Sequence, residues 1–415
     1  MLKIVIITSG QPSLNPRLVK EADALASNGF KVTVIYQYLS EWATSLDYEL
    51  LKDKNWKAIR VGGGPKEGYF TYLRSRIIYR MARFLITYFG SKGLLVEMAL
   101  SRSTNALIAK AKSIPASLYI AHNLGALPAA VLASKKNKAK CGFDAEDFHR
   151  QEVTDDRNSK AFQIVKLIED KYLPAVNYLT AASPHIGKAY HEIYPTPKPA
   201  IINNVFSKTL LQKVIPVERK ELKLFWFSQT IGKGRGIEDA IKAISLLKKK
   251  HITLSLLGNI DGASQAYFLS LANDSGLGKN QLNFIPPIAA SEIFALAAQY
   301  DIGLALEQAI PLNRDICLTN KIFTYLTAGL AIVASETQAQ KDFLEHYPKS
   351  GMSYPLGNIE ILSNIIDAYD HDRQLLLETK LNCSCYAEEK LNWEEEQVKL
   401  LEVVNQTLAQ QKAPL

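Results

Sequence analysis

The stretch "SQTIGKGRGIEDAI", residues 228–241, sets three glycines, Gly232, Gly234 and Gly236, around two cations, Lys233 and Arg235. Glycines let a backbone approach a ligand closely, and helix-terminal N–H groups joined by two cations suit a diphosphate. The competing reading is a plain flexible turn. The stretch is not a Walker loop, because no Gly-Lys-Ser/Thr follows at the required spacing, and it is not G-x-G-x-x-G. A second anion-binding pattern occurs in "NKIFTYLTAG", residues 320–329. Lys321 falls in the first turn of a helix, where the macrodipole disfavours a cation unless an anion is bound there. Polar Thr324 lies one turn further along the same face. The competing reading is an amphipathic helix with two solvated residues. In "CGFDAEDFHRQE", residues 141–152, Asp144, Asp147 and His149 follow an apolar run. With Glu146 the acids read either as a divalent-metal cluster or as helix caps and hydrogen-bond acceptors.

These residues need elements to carry them. Lys3–Thr8, Lys31–Tyr36, Ser117–Ala121, Lys140–Phe143 and Tyr178–Ala181 read as short apolar strands separated by helical stretches. The second half repeats the scheme with strands at Leu222–Phe227, Thr253–Leu257, Leu282–Ile285, Ile302–Leu306 and Leu330–Ala334. Strands alternating with helices imply a parallel, doubly wound α/β sheet, and 415 residues suit two such domains. The Pro- and Asn-rich stretch 194–207 separates them. The expected organisation is an N-terminal Rossmann-like acceptor domain, 1–203, a C-terminal Rossmann-like donor domain, 204–378, and a helical tail, 379–415, packing back on the first domain. In such sheets ligands sit beyond the carboxyl ends of the strands, and most of the unusual polar residues follow strands here.

Charge is distributed unevenly. Residues 1–200 hold 28 Lys and Arg against 17 Asp and Glu, whereas residues 201–415 hold 21 against 24. A basic first half suggests an anionic partner. No zinc finger, RNP-like aromatic motif or double-stranded-RNA module supports nucleic acid. The segment 69–92 interleaves Arg74, Arg76, Arg80 and Arg83 with Tyr, Phe, Leu and Ile. It reads either as a basic amphipathic helix on an anionic lipid surface or as a core helix whose arginines snorkel to water. The opening MLKIVIITSG reads as a first strand rather than a signal peptide, and no run is apolar enough to span a bilayer. Cys141, Cys317, Cys383 and Cys385 form neither a disulfide framework nor a zinc spacing, which points to a reduced compartment.

The order of these features resembles the GT-B glycosyltransferases, and is most similar to glycosyltransferase family 4. In the second half the resemblance runs through Arg235-Gly236, the strand–Gly258 loop, the strand ending at Glu307, and "NKIFTYLTAGLAIVAS". In the first half, "NPRLVKEADALASNGFKVTVI" resembles the family's arginine-bearing first helix and following strand. "YIAHNLGALPAA" resembles its H-x-H strand end, "AIINNVFS" its interdomain turn, and "CGFDAEDFHRQE" its D-x-H-D segment, with Glu146 where His is usual. The resemblance implies two Rossmann-like domains facing across a cleft, with a nucleotide-diphosphate sugar on the second.

Carried across, Arg235 contacts the donor diphosphate, and Lys321 with the N–H groups near Asn320 lies by the sugar phosphate. His122 reaches the transferred sugar, Gly10 closes over the phosphates, and Glu307 is the acid facing the sugar, unless it is a solvated loop carboxylate. Ser228, Gln229, Lys233, Gly258, Asn259, Ile285 and Thr324 complete the donor side. Arg17, Asp144, Asp147 and His149 form the acceptor side.

Two departures stand out. Thr324 replaces the later glutamate of the family's E-x7-E pair, with Ile316 eight residues earlier and Asp315 or Glu307 as substitutes, and Gln229 or Thr230 replaces a phosphate-binding arginine. The expected activity is retaining sugar transfer to a glycan or lipid-linked acceptor in cell-surface polysaccharide synthesis. It needs no cofactor and no essential metal, and places the protein in the cytoplasm, peripheral at the inner face of the cell membrane through residues 69–92. The alternatives are a catalytically silent partner of the same fold and a sugar-nucleotide epimerase. An NAD-type oxidoreductase is disfavoured by the missing G-x-G-x-x-G.

Overall fold

The computed structural model describes residues 1–89, 95–216 and 220–409. The ends of the 69–92 segment and of the 379–415 tail thus lie outside the described residues. The chain divides into two compact units. One comprises residues 1–202 together with 397 onward, and the other comprises residues 203–396.

The first unit is built on seven strands: β1 Lys3–Thr8, β2 Lys31–Gln37, β3 Lys57–Val61, β4 Leu118–His122, β5 Lys140–Ala145, β6 Tyr178–Ala181 and β7 Ala200–Ile201. All pair parallel, in the order β3-β2-β1-β4-β5-β6-β7. In β1, β4 and β5 nearly every residue is buried, so these strands read as continuous apolar runs and not as alternating ones. That pattern follows from helices covering both faces of a parallel sheet.

The second unit has six strands: β8 Leu222–Thr230, β9 Ile252–Asn259, β10 Leu282–Ile285, β11 Ile302–Ala305, β12 Ala331–Ser335 and β13 Gly351–Tyr354. They too are parallel, in the order β10-β9-β8-β11-β12-β13. Successive β8 residues divide between two cores: Leu222, Leu224 and Trp226 pack on one face, Phe225 on the other. The doubly wound parallel fold expected from the strand–helix alternation is therefore present in both units. Each sheet reverses its winding where its first and fourth strands meet, at β1/β4 and at β8/β11. Ligands of doubly wound folds bind beyond the strand ends at such a reversal.

The second unit is inserted into the first, and its two ends are tied together. Asn203 donates through its backbone N and its Nδ2 to the two carboxylate oxygens of Glu396, at 3.1 and 2.9 Å. Close by, Glu394 accepts from Ser207 Oγ and the Lys208 backbone at 2.6 and 3.0 Å. Helix Arg373–Glu389 packs on helix Asn320–Ala328 of the same unit. The last helix, Trp393–Ala409, carries Leu400, Val404 and Leu408 buried on one side in the first unit.

Among the described residues no helix is long and apolar enough to cross a membrane. All four cysteines are free thiols.

Candidate functional site

At the β8/β11 reversal the loops after β8 and β11, and the ends of β8 and β9, come within van der Waals distance, because two positions carry no side chain. Gly236 caps the helix Ile237–Leu247 at φ 78°, and a Cβ there would stand 2.6 Å from Leu306 Cβ and 2.7 Å from its carbonyl oxygen. Gly258, at φ 152°, would bring a Cβ to 2.3 Å from the Ser228 carbonyl. Both conformations lie where only glycine is unstrained. The ends of β8 and β9 and the loops following β8 and β11 are thereby held close together.

Arg235 reaches back across the first loop and donates from Nη1 to Ser228 Oγ at 2.7 Å. Lys233 is exposed, its ammonium 3.9 Å from the centre of the Tyr267 ring. Gln229 and Asn259 are exposed, and Ile285, at the end of edge strand β10, packs half-buried on the core.

Lys321 does not project alone. Its Nζ is 2.5 Å from Glu307 Oε1, the two side chains being 12% and 18% exposed, and it stands 5.4 Å from the Trp226 ring centre. Burial by itself would raise the Glu307 carboxyl. Lys321 beside it, with Arg314 and Arg235 further off, instead holds it below the usual carboxylate range. The site therefore sets three cations against one carboxylate. That excess of two positive charges matches the charge on the diphosphate of a sugar nucleotide.

Helix Asn320–Ala328 opens after Thr319 and closes at Gly329. Asn320 is exposed at its start, where its Oδ1 accepts from Asn204 Nδ2 at 2.9 Å. Thr324 is different: at 2% exposure it is part of the interior. One helical turn carries the chain from the exposed start into the packed centre. Asp315, the other substitute acid, is occupied at the start of helix Gln338–His346, where its two oxygens accept from the Gln338 backbone at 2.9 Å and from its Nε2 at 2.6 Å.

In the first unit, the residues expected to touch acceptor and sugar bind one another. Arg17 grips Asp144 with two hydrogen bonds, Nε to Oδ2 at 2.7 Å and Nη2 to Oδ1 at 2.8 Å, and donates from Nη1 to the Ile202 carbonyl at 2.7 Å. Thr180 Oγ1 donates to Asp144 at 2.5 Å. His122 Nε2 meets Glu21 at 2.5 Å, and its Nδ1 lies 3.4 Å from Asp144. All five side chains are buried to 4% exposure or less. Burial opposes the charge on Asp144, yet Arg17 and His122 hold its carboxyl down at about 2. Burial likewise opposes a charged imidazole, but Glu21 and Asp144 raise His122 above its ordinary value. Arg17, His122, Glu21 and Asp144 thus form one internal network of basic and acidic side chains. Glu21 Oε1 and His122 Nδ1 are left in it without a hydrogen-bond partner.

Glu21, His122 and Asp144 set ligand atoms within 4.8 Å of one another, as a metal site would. Arg17 already takes both Asp144 oxygens, however, and a further cation would meet its guanidinium. The donor set fits an ion-pair network better than a metal.

His149 also faces inward, at 8% exposure, with Nδ1 2.7 Å from Glu152. Despite the burial penalty, Glu152 lifts its pKa to about 9. Asp147 stays half-buried beside Glu146, whose carboxyl is pushed up by burial and by Asp147.

Sequence reasoning passed over Asn123. It adopts φ 63° and ψ 158°, a conformation that costs a non-glycine residue on the order of 1–3 kcal/mol. Its Oδ1 accepts from Ser9 N and Oγ at 3.3 and 2.6 Å, while its Nδ2 donates to Thr8 Oγ1 at 2.9 Å. Thr8 Oγ1 in turn accepts from the Gly10 backbone at 3.0 Å. Asn123 thus fixes the Ser9–Gly10 turn at the β1/β4 reversal. Arg314 and Trp226, which flank the Lys321–Glu307 pair, were also passed over. The one available signal for Asn123 was its place directly after a strand.

No protein-family model matches the sequence, and no curated protein matches it either. The fold does match solved structures over nearly its whole length. HepE from Anabaena, in complex with UDP and glucose, is 15% identical with a TM-score of 0.70, covering 98% of this chain and 100% of that one. Sucrose-phosphate synthase from Thermosynechococcus elongatus is 14% identical with a TM-score of 0.73, covering 99% and 100%. TarM from S. aureus, as a mutant in complex with fondaparinux, alpha-GlcNAc-glycerol and UDP, is 10% identical with a TM-score of 0.68, covering 98% and 100%. At such identities the likeness is one of fold, and the fold is that of the GT-B glycosyltransferases.

Proposed function

We propose that this chain is a glycosyltransferase, similar to family 4, that moves a sugar from a nucleotide diphosphate to a glycan or lipid-linked acceptor. The observation that carries this reading is the β8/β11 site. Arg235 and Lys321 lie where the chain is drawn close together at Gly236 and Gly258, and the local charge excess suits a diphosphate. HepE is seen with UDP-glucose, and a donor of that class fits the same charge balance.

In this reading Arg235 and the first-turn N–H groups at Asn320 hold the diphosphate. Lys321 neutralises the departing phosphate, with Glu307 fixing its position and Ser228 fixing that of Arg235. Electrostatic stabilisation of the leaving group and alignment of donor with acceptor then supply the rate enhancement. No general base is assigned. The stereochemical course is retaining, no resident metal takes part, and the product belongs to cell-surface polysaccharide synthesis on the cytoplasmic side. Asp147 remains the first unit's candidate for an acceptor contact.

One observation favours a second reading, a silent partner of the same fold. The ribose-gripping carboxylate is replaced by Thr324, which is buried. Calorimetric titration with nucleoside diphosphates and their sugars separates the two. Binding by one base series, weakened in Arg235→Ala, supports transfer. No binding by any of them overturns it.

A further inference from the structure

The helix Tyr69–Phe89 belongs to the first unit and takes no part in the site above. Its inner side is anchored. Tyr72 meets Tyr38 edge-on at 5.8 Å, and Arg102 hydrogen-bonds to Ser75 Oγ at 2.6 Å. Ala82 is 2% exposed. This is therefore no core helix, because the opposite side is bare and apolar. Phe70, Leu73, Ile77, Met81, Phe84 and Tyr88 are 85%, 41%, 50%, 55%, 62% and 68% exposed. Spaced by three and four residues, they form one straight stripe along the helix. Apolar rows of this kind are rare on soluble surfaces and mark a binding face.

Charge indicates the occupant. Arg74 and Arg80 border the stripe on either side, Arg76 and Arg83 lie further round, and all four are exposed. Arg76 and Arg83 are turned along the flank by hydrogen bonds to Tyr72 and Tyr79 hydroxyls at 3.1 and 2.9 Å. The 21-residue helix contains no Asp or Glu. A second copy of this chain would bring two such arginine rows together with no carboxylate on either helix to receive them. An apolar stripe bordered by cations suits anionic headgroups above an acyl layer, with the helix lying flat and its aromatic side chains immersed.

We infer that the exposed face of the helix Tyr69–Phe89 is a docking surface for anionic lipid, holding the protein in the plane of the bilayer interface. The contact is independent of donor binding, and goes beyond the proposed transfer reaction.

The test is flotation of the full chain with vesicles of phosphatidylglycerol and phosphatidylcholine, against vesicles of phosphatidylcholine alone. The wild type is expected to float with the first and hardly with the second. Replacing Arg74, Arg76, Arg80 and Arg83 by Gln is expected to weaken partitioning about fivefold per residue. The pair Phe70→Ser and Phe84→Ser is expected to abolish flotation while leaving Tm and nucleotide binding unchanged, since both side chains are exposed. Emission from Phe70→Trp is expected to shift to the blue on the anionic vesicles only. Equal partitioning into both lipids, or unchanged flotation of the Gln variant, overturns the inference. So does a wild-type dimer that ignores vesicles and is dissociated by the serine pair, because the face would then belong to a second copy.

Discussion

Removing the lysine at the β8/β11 site tests both the charge balance and the packing. Lys321→Met keeps the stem's bulk but leaves Glu307 without its 2.5 Å partner, in a position only 18% exposed. Breaking a fully buried pair by deleting one member costs about 3–5 kcal/mol, because the remaining charge is stranded. Residual solvent access here, together with Arg314 and Arg235 nearby, reduces that to about 2–3 kcal/mol. The pH dependence is the sharper readout. In the wild type the Glu307 carboxyl is depressed, so its contribution to stability is present above the ordinary value of 4.5 and is lost as pH falls through the lower folded value. In Lys321→Met burial dominates and raises the carboxyl, so acidification relieves the stranded charge. Urea unfolding of both proteins should show the gap largest at neutral pH and narrowing toward pH 4.5. Glu307→Gln should cost less than Lys321→Met, since a buried cation is left beside a neutral acceptor and the Trp226 face. A gap that does not change with pH, or one below about 0.5 kcal/mol, would refute the pairing argument.

Gly258→Ala should destabilise by about 1–3 kcal/mol in thermal unfolding, since its Cβ meets the Ser228 carbonyl, whereas Gly234→Ala, with open space around it, should cost about 1 kcal/mol or less. Equal effects would argue against close loop approach. His149 is raised to about 9, so its contribution is full below 6.5 and is lost as pH rises through about 9; His149→Asn should flatten stability across that window in pH-resolved denaturant curves. Thr324→Glu forces a carboxylate into the interior and should cost about 3 kcal/mol or more. Selective tightening of that variant for a ribonucleotide over its 2′-deoxy analogue would instead place residue 324 at the ribose.

How much was legible depended on the range over which each feature is determined. β1 is legible in the sequence because five consecutive residues, Ile4–Thr8, are dictated by burial on both faces. β3 is not legible, because Lys57-Ala-Ile-Arg-Val61 alternates charge with apolar residues at a sheet edge, and β7 is only two residues long. The glycine–cation loop is visible in the sequence because its residues are contiguous. The pairing of Arg17 with Asp144, across 127 residues, and of His122 with Glu21, across 101, is not. Residue type alone marks such groups as reactive, and only the fold shows that their charges are spent on each other. Lys321 falls between these cases: its anomalous position was visible, but Glu307 as its partner was not.

The insertion of one unit into the other bears on how the protein is made. Residues 203–396 amount to 194 residues of chain between the two parts of the first unit. At about 5–20 residues per second, the ribosome needs roughly 10–40 s to pass over them. For that interval the first unit stands without the part of its last helix that carries Leu400, Val404 and Leu408, three side chains buried in the folded protein. The inserted unit meets no such delay, because the Asn203–Glu396 hydrogen bonds close its own ends within one continuous segment. Synthesis therefore favours an order in which the inserted unit is finished before the unit whose synthesis began first.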